Sequence, residues 1–308
     1  MQPVAHLSIE SMCRLGQVSR AGFYRRWRER QPKVEETELR AEVQRIVVEH
    51  RRNYGYRRVT RELHNQGWAV NHKRVARLMA EDNLLCVRRR RFILTTDSRH
   101  DLRVYANLAA RMELSGIDQL WVADLTYIRL REQFVYLAVI LDAFSRRVVG
   151  WGVDDSLHVE LPLAALRKAL ESRRPAVGLV HHSDRGLQYA SREYVSLLSQ
   201  HGIWPSMSAA GNPYDNAKCE SFMKTLKQEE IRTRYYRDRA DLEAHIAEFL
   251  EHYYNRRRLH SALNYRSPEQ FEAGLPLQPA ASPAATMSFL RHEEIYRPDV
   301  GQAKREEL

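Results

Sequence analysis

Three carboxylates stand at positions that a packed α/β core does not ask for. Asp124 sits inside the strand-forming run "LWVADLTYIRL" (120–130), in the alternation phase of Val122 and Thr126. Asp184 follows an apolar run that begins at Val177 and leads into "HSDRGLQYAS" (182–191), with Gly186 two residues later. Glu220 lies in "GNPYDNAKCESFMKTLKQEE" (211–230). Carboxylates brought side by side repel unless a cation stands between them, and hard divalent cations take oxygen ligands, so a convergence of these three reads as a metal site. Taken singly, each has a plainer use. An aspartate at a strand end commonly caps a turn, and Glu220 with Lys224 makes an ordinary i, i+4 helix pair. Only convergence separates the two readings, and convergence depends on the elements that carry the acids.

Those elements are legible. "LWVADLTYIRL", "FVYLAVILDAF" (134–144) and "RRVVGWGVDDS" (146–156) are β-rich runs broken at Glu132-Gln133 and at Ser145, which predicts a three-stranded meander. The middle run is almost continuously apolar, as in a central strand covered on both faces. A helix over 159–174, a strand over 177–183, a helix over 191–202 and a short strand over 203–208 follow. This order fits an α/β, RNase H-like fold: a mixed five-stranded sheet flanked by helices, with the fourth strand beside the first. That placement puts Asp184 next to Asp124. Within 211–230, Asn212 can cap a helix and Pro213 suits its first turn. Glu220, Lys224 and Lys227 then share one face, while Cys219, Phe222, Met223 and Leu226 form the apolar side. Asp142, an acid in the central strand, is a candidate neighbour of the site.

The N-terminal part has a different character. Residues 1–117 hold 24 Lys and Arg against 13 Asp and Glu, whereas residues 118–308 hold 25 against 26, so the net charge of +10 is an N-terminal property. A local excess of that size suggests a polyanion partner, most simply nucleic acid, because each cation laid on a phosphate releases counterions. "TELRAEVQRIVVEH" (37–50) spaces Leu39, Val43, Ile46 and Val47 as an amphipathic helix. In residues 53–85 Val59 and Leu63 mark a short helix, Gly67 stops it, and Val75, Leu78 and Met79 mark another that Asn71 can cap. Two short helices across a glycine turn, the second bearing Lys73, Arg74 and Arg77, form a helix-turn-helix pattern. An earlier stretch, 8–30, reads as two further short helices with Ser19 as a cap. Arg88, Arg89, Arg90 and Arg91 open a connection of no sustained period that can lie along a DNA backbone. The expected organisation is an N-terminal helical segment (1–34), a helix-turn-helix-like DNA-binding domain (35–86), a basic linker (87–117), the RNase H-like core with C-terminal helices (118–272) and a Pro/Ala-rich tail (273–308).

Taken together, "WVADLTYI", "LDAFSRRVVGW" (141–151), "HSDRGLQY", "GNPYDNAKCESFMKTLKQE" and "YNRRRLHSALNYRSPEQFE" (254–272) resemble the DDE transposases of bacterial insertion sequences, the OrfB product of the IS-three family, which shares the retroviral integrase core. Asp184 and Glu220 are separated by 35 residues, the spacing of that family. The resemblance covers roughly residues 37–272. It implies that Asp124, Asp184 and Glu220 form a catalytic triad binding two Mg2+ ions, with Mn2+ able to substitute, and that Lys224 and Lys227 contact the DNA end. It also implies strand cleavage and strand transfer at terminal inverted repeats and target DNA, an OrfA partner or OrfAB fusion, and a dimer or larger assembly on DNA.

Other classes fare worse. Cys13, Cys86 and Cys219 are odd in number and widely separated, giving neither a disulfide framework nor a zinc motif. No apolar run is long enough to span a membrane and the first residues lack a secretory pattern, so a cytoplasmic protein is expected, and the resemblance implies a bacterial, nucleoid-associated one. Arg257 and His260 match an R-x-x-H pattern with Tyr265 nearby, as in a tyrosine recombinase, but Asn255 to Arg258 read more simply as a basic surface. A DNA-binding regulator without activity and an RNase H-type nuclease are the remaining alternatives.

Overall fold

The computed structural model describes residues 8–27, 34–86, 104–131, 133–208 and 217–276. The chain divides into two compact units, one up to Cys86 and one from Val87. The cap and first turn expected at Asn212 and Pro213, the run Arg88 to Arg91 and nearly all of the tail lie outside the described residues.

The first unit is helical: α1 (Ile9–Leu15), α2 (Arg20–Trp27), α3 (Val34–Glu49), α4 (Tyr56–Asn65) and α5 (His72–Glu81). Leu39, Val43, Ile46 and Val47 of α3 are fully buried, as are Val59, Leu63, Val75, Leu78 and Met79 of the next two helices. Gly67 turns the chain at φ +89°, a conformation glycine adopts without a Cβ clash. The Asn71 side chain then caps α5 by accepting from the Lys73 N–H at 2.8 Å.

The second unit is built on a five-stranded sheet in the order β3-β2-β1-β4-β5: β1 (Leu120–Arg129), β2 (Phe134–Asp142), β3 (Val148–Asp154), β4 (Val180–Ser183) and β5 (Trp204–Met207). The first three pair antiparallel, and β4 and β5 add in parallel beside β1. This is the RNase H-like topology expected. One face is covered by α6 (Glu160–Arg173) and α8 (Arg192–Gln200), against Trp121, Ala123, Leu125, Ala138 and Ile140. The other is covered by α9 (Ala217–Leu226), α10 (Arg239–Ala247) and the segment Glu248–Tyr254, against Leu120, Val122, Ile128, Leu137 and Val139. Gly150 lets α6 approach closely, since a Cβ there would stand 2.1 Å from the Ala165 carbonyl oxygen.

Boundaries shift for local reasons. β2 stops at Asp142 instead of 144 because that carboxylate takes the N–H groups of Phe144 and Ser145 and bends the chain. β4 begins at Val180 instead of 177 because Gly178, at φ +104°, pairs outward with the Gly202 carbonyl. A short α7 (Leu187–Ala190) precedes α8, and the helix after Leu226 widens into a π turn over Lys227–Ile231. Neither feature has a sequence signature. A short helix, α11 (Pro268–Ala273), closes the described chain with a capping box made by Ser267 and Gln270.

Candidate active site

Alternation along β1 sends the even-numbered residues to the α9 side of the sheet, where Leu120 and Val122 join Cys219, Phe222, Met223 and Leu226 in one core. Asp124 follows Val122 in that phase and reaches the same face. The parallel ladder pairs Val122 with His182, and Asp184, directly after β4, lies close enough to Asp124 for its charge to act on it. Both acids are partly exposed.

Each is held by backbone donors. The Leu125 N–H donates to Asp124 Oδ1 at 2.9 Å, and the Gly186 N–H donates to Asp184 Oδ1 at 2.9 Å. The glycine two residues after Asp184 therefore has a reason: a Cβ there would sit 2.9 Å from the same Oδ1. Burial, then the Asp184 charge, pushes Asp124 up to about 7, with Glu220 adding to the rise and the Leu125 N–H and Lys227 opposing it. Glu220 and Lys224 are exposed on α9 and Lys227 is half-buried at the start of the π turn. Burial holds the Lys227 ammonium below its usual range while Asp124 draws it back.

Asp124, Asp184, Glu220 and Lys227 thus share one electrostatic neighbourhood. Among the described residues, no three His, Cys, Asp or Glu side chains are gathered closely enough to hold an ion. The donor set fits a hard divalent cation, being all carboxylate oxygen. Occupancy would also relieve the repulsion that lifts Asp124.

Several supporting residues carried no clear signal in the sequence. His182, fully buried, hydrogen-bonds Ser206 Oγ through Nδ1 at 2.8 Å and Ser208 Oγ through Nε2 at 3.1 Å, tying the end of β4 to β5. Arg185 donates from Nε to the Ser208 carbonyl at 2.9 Å. The helix that bears Glu220 is braced at its far end: Arg258 meets Glu229 of the π turn through bonds of 2.8 and 2.6 Å, both groups being buried. Tyr254 packs edge-on against Phe222 of α9, and Asn255 bonds both the N–H and the carbonyl of Val148 at 2.9 Å.

Two expectations are corrected here. Asn255 and Arg258 are not part of a basic surface; they are buried fixings for β3 and for α9. Asp142 is not a neighbour of the site in any chemical sense. It is fully buried, Oδ1 takes the Ser145 N–H and hydroxyl, Oδ2 takes the Asp118 N–H at 2.7 Å, and it pairs with Trp121, three residues before Asp124. Tyr265 belongs to a tight turn, its N–H donating to the His260 carbonyl at 2.8 Å.

In the first unit Lys73 is exposed at the start of α5. Arg74 pairs with Glu35 at 3.5 Å and Glu36 at 3.8 Å, and Arg77 pairs with Glu81 at 2.8 Å and Glu36 at 3.6 Å. Both arginines therefore start from a partly neutralised state.

Residues 116–213 match an integrase core domain family, residues 201–268 match a second integrase core domain family, and residues 33–92 match an HTH-like domain family. The chain is 40% identical over 264 residues, covering 84% of itself and 97% of the relative, to the insertion element IS600 uncharacterized 31 kDa protein of Shigella sonnei. It is 38% identical over 249 residues (78% and 95%) to the transposase for insertion sequence element IS904 of Lactococcus lactis subsp. lactis. Identity is 36% over 274 residues (87% and 95%) to the transposase InsF for insertion sequence IS3A of Escherichia coli. Such identity along nearly the whole of these relatives, over a sheet of RNase H-like topology, means that the chain belongs to the insertion-sequence transposases, polynucleotidyl transferases built from an HTH-like domain and an integrase core.

Proposed function

We propose that the chain cleaves DNA at the ends of its insertion sequence and joins the freed 3′-hydroxyl to a second phosphodiester, with Asp124, Asp184 and Glu220 as the catalytic residues. These three would hold two Mg2+ ions, with Mn2+ able to substitute. When bound, the ions supply the positive charge that activates the attacking hydroxyl and stabilises the leaving oxygen of an in-line displacement. The observation that carries the reading is that Asp124 on β1 feels the charges of Asp184, directly after the neighbouring parallel strand β4, and of Glu220 on the helix packed over that face.

The chain's own residues do the rest. Asp124, raised to about 7, releases its proton for the carboxylate to act as a ligand. Lys227, drawn toward Asp124, and Lys224 one turn after Glu220 present cations to a phosphodiester. His182 with Ser206 and Ser208 fixes the strand end from which Asp184 projects. DNA is engaged by Lys73, Arg74 and Arg77 and by Arg88, Arg89, Arg90 and Arg91. Arg74 and Arg77 exchange their acidic partners for phosphates. Acting on two ends calls for a dimer or larger assembly on DNA, with an OrfA partner or fusion completing it, in the bacterial cytoplasm on the nucleoid.

The test is nicking and strand transfer on a labelled duplex carrying the element's terminal repeat, in Mg2+ or EDTA, for wild type and Glu220→Gln. Joined products that need Mg2+, and that Glu220→Gln loses while still binding the duplex, support the reading. Binding without nicks or joined products, even with OrfA supplied, would overturn it, and nicks that never become joined products would mark a nuclease.

A further inference from the structure

The β2–β3 connection ends on a residue that local physics disfavours. Asp142 accepts the Arg146 N–H at 2.9 Å and donates its own N–H to the Arg147 carbonyl at 2.8 Å, so a tight turn is followed by a single bulged residue. That residue must take a left-handed conformation, and Arg146 does so at φ +63°. Hairpins of this kind usually place glycine there, because any Cβ is strained. Retaining arginine at such a place needs a reason in its side chain.

Among the described residues the side chain has no ion-pair or hydrogen-bond partner. Arg147, its neighbour, pairs with Glu272 at 2.7 Å and Glu269 at 3.6 Å. Arg146 is half-buried and, among the described residues, makes no ion pair and no side-chain hydrogen bond. Burial disfavours its charge, and the buried phenol of Tyr254 lies within electrostatic reach. A guanidinium does not escape such a place by losing its proton.

A second cation shares the corner. Lys218, two residues before Glu220 on α9, is likewise half-buried with no ion pair or side-chain hydrogen bond among the described residues, and it lies within electrostatic reach of Arg146. Asp142 attracts Lys218, but its two oxygens are already taken by Asp118, Phe144 and Ser145. Two unpaired like charges held together in partial burial weaken a fold unless an anion joins them.

We propose that Arg146 and Lys218 together bind one backbone phosphate of the DNA, at the end of α9 that precedes Glu220, and so set where the strand lies on that helix. The site rests on the DNA-cutting reading. It adds a contact to that reading: an arginine fork that can grip a phosphodiester, next to a lysine that adds charge.

The test uses the full chain as wild type, Arg146→Gly, Lys218→Gln and Glu220→Gln. Thermal melting is measured without DNA, and affinity for the terminal-repeat duplex is measured across a salt series. Arg146→Gly is expected to raise the melting midpoint by about 2–4 °C, since it relieves both the left-handed backbone and the unpaired charge. The same variant weakens DNA binding roughly tenfold and makes the log–log salt slope shallower by about one, as expected for one lost phosphate contact. Lys218→Gln shifts affinity and slope in the same direction. A lower midpoint for Arg146→Gly, or unchanged affinity and slope in both variants, overturns the site. So does stabilisation of wild type by inorganic phosphate that Arg146→Gly abolishes while its DNA affinity stays intact, which would mark a free-anion site. Glu220→Gln, binding with the wild-type slope but joining nothing, keeps the two readings separate. A wild type that binds no duplex at all removes both.

Discussion

Asp124 gathers the opposing forces of the site in one residue. Packing on β1 desolvates it, Asp184 repels its charge, and a single backbone N–H and Lys227 favour ionisation, which leaves it near 7. In an unfolded chain an aspartate titrates near 3.9. Between those values the folded state therefore binds more protons than the unfolded one, so this group's contribution to stability falls as pH rises from about 4 to about 7 and is flat above. Metal-free wild type is expected to lose stability across that window at up to about 1.4 kcal/mol per pH unit from this group. Asp124→Asn is expected to lose less, so the variant melts well above wild type at pH 8 and the gap shrinks as pH falls to 5, closing near pH 4. Melting curves at both pH values check this, and identical pH profiles would remove Asp124 from the account. Mg2+ is expected to narrow the gap for wild type and leave Asp124→Asn unmoved.

At the scale of elements, the problem is to hold α9 still while one of its faces stays open. Its apolar side is seated on β1, and the π turn that extends it is clamped by the buried Arg258–Glu229 pair. Removing one member leaves the other charged and buried, so Arg258→Ala is expected to cost about 3–5 kcal/mol in chemical denaturation. Arg258→Met with Glu229→Gln is expected to recover most of that, because no buried charge remains. Failure of the double change to recover stability would mean that the contacts around Tyr254 and Phe222 carry the load. On the opposite face, Gly150→Ala drives a methyl into the α6 backbone, and a loss on the order of 1–3 kcal/mol is expected by the same measurement. Unaltered stability there would mean that α6 shifts freely.

For the whole molecule the division of charge matters more than its sum. Residues 1–86 hold 17 Lys and Arg against 10 Asp and Glu, and they form a helical unit with its own buried core. The second unit contains the entire sheet and all three carboxylates. A chain of residues 87–308 is therefore expected to melt cooperatively, to bind the terminal-repeat duplex with a shallower salt slope than the full chain, and to lose its preference for that duplex over a random one. Binding isotherms at several salt concentrations decide this. Full retention of slope and preference would place recognition in the second unit.

The sequence by itself determined the kind and order of the elements, because alternation, helical spacing and turn residues are local. It also determined which carboxylates share a side: Asp124 by its phase with Val122, and Glu220 by its phase against Phe222 and Leu226. Bringing Asp184 near Asp124 needed β4 to lie beside β1, which depends on pairing between residues sixty apart. Tertiary structure also decided the fate of the remaining charged groups. Asp142 and Arg258 have the sequence character of site or surface residues, yet each is buried against partners distant in the chain or held by turn amides, while Arg146, alike in sequence to Arg147, has no ion-pair partner among the described residues. A charge's role follows from its partner and its exposure to water, and both are settled only when the chain has folded.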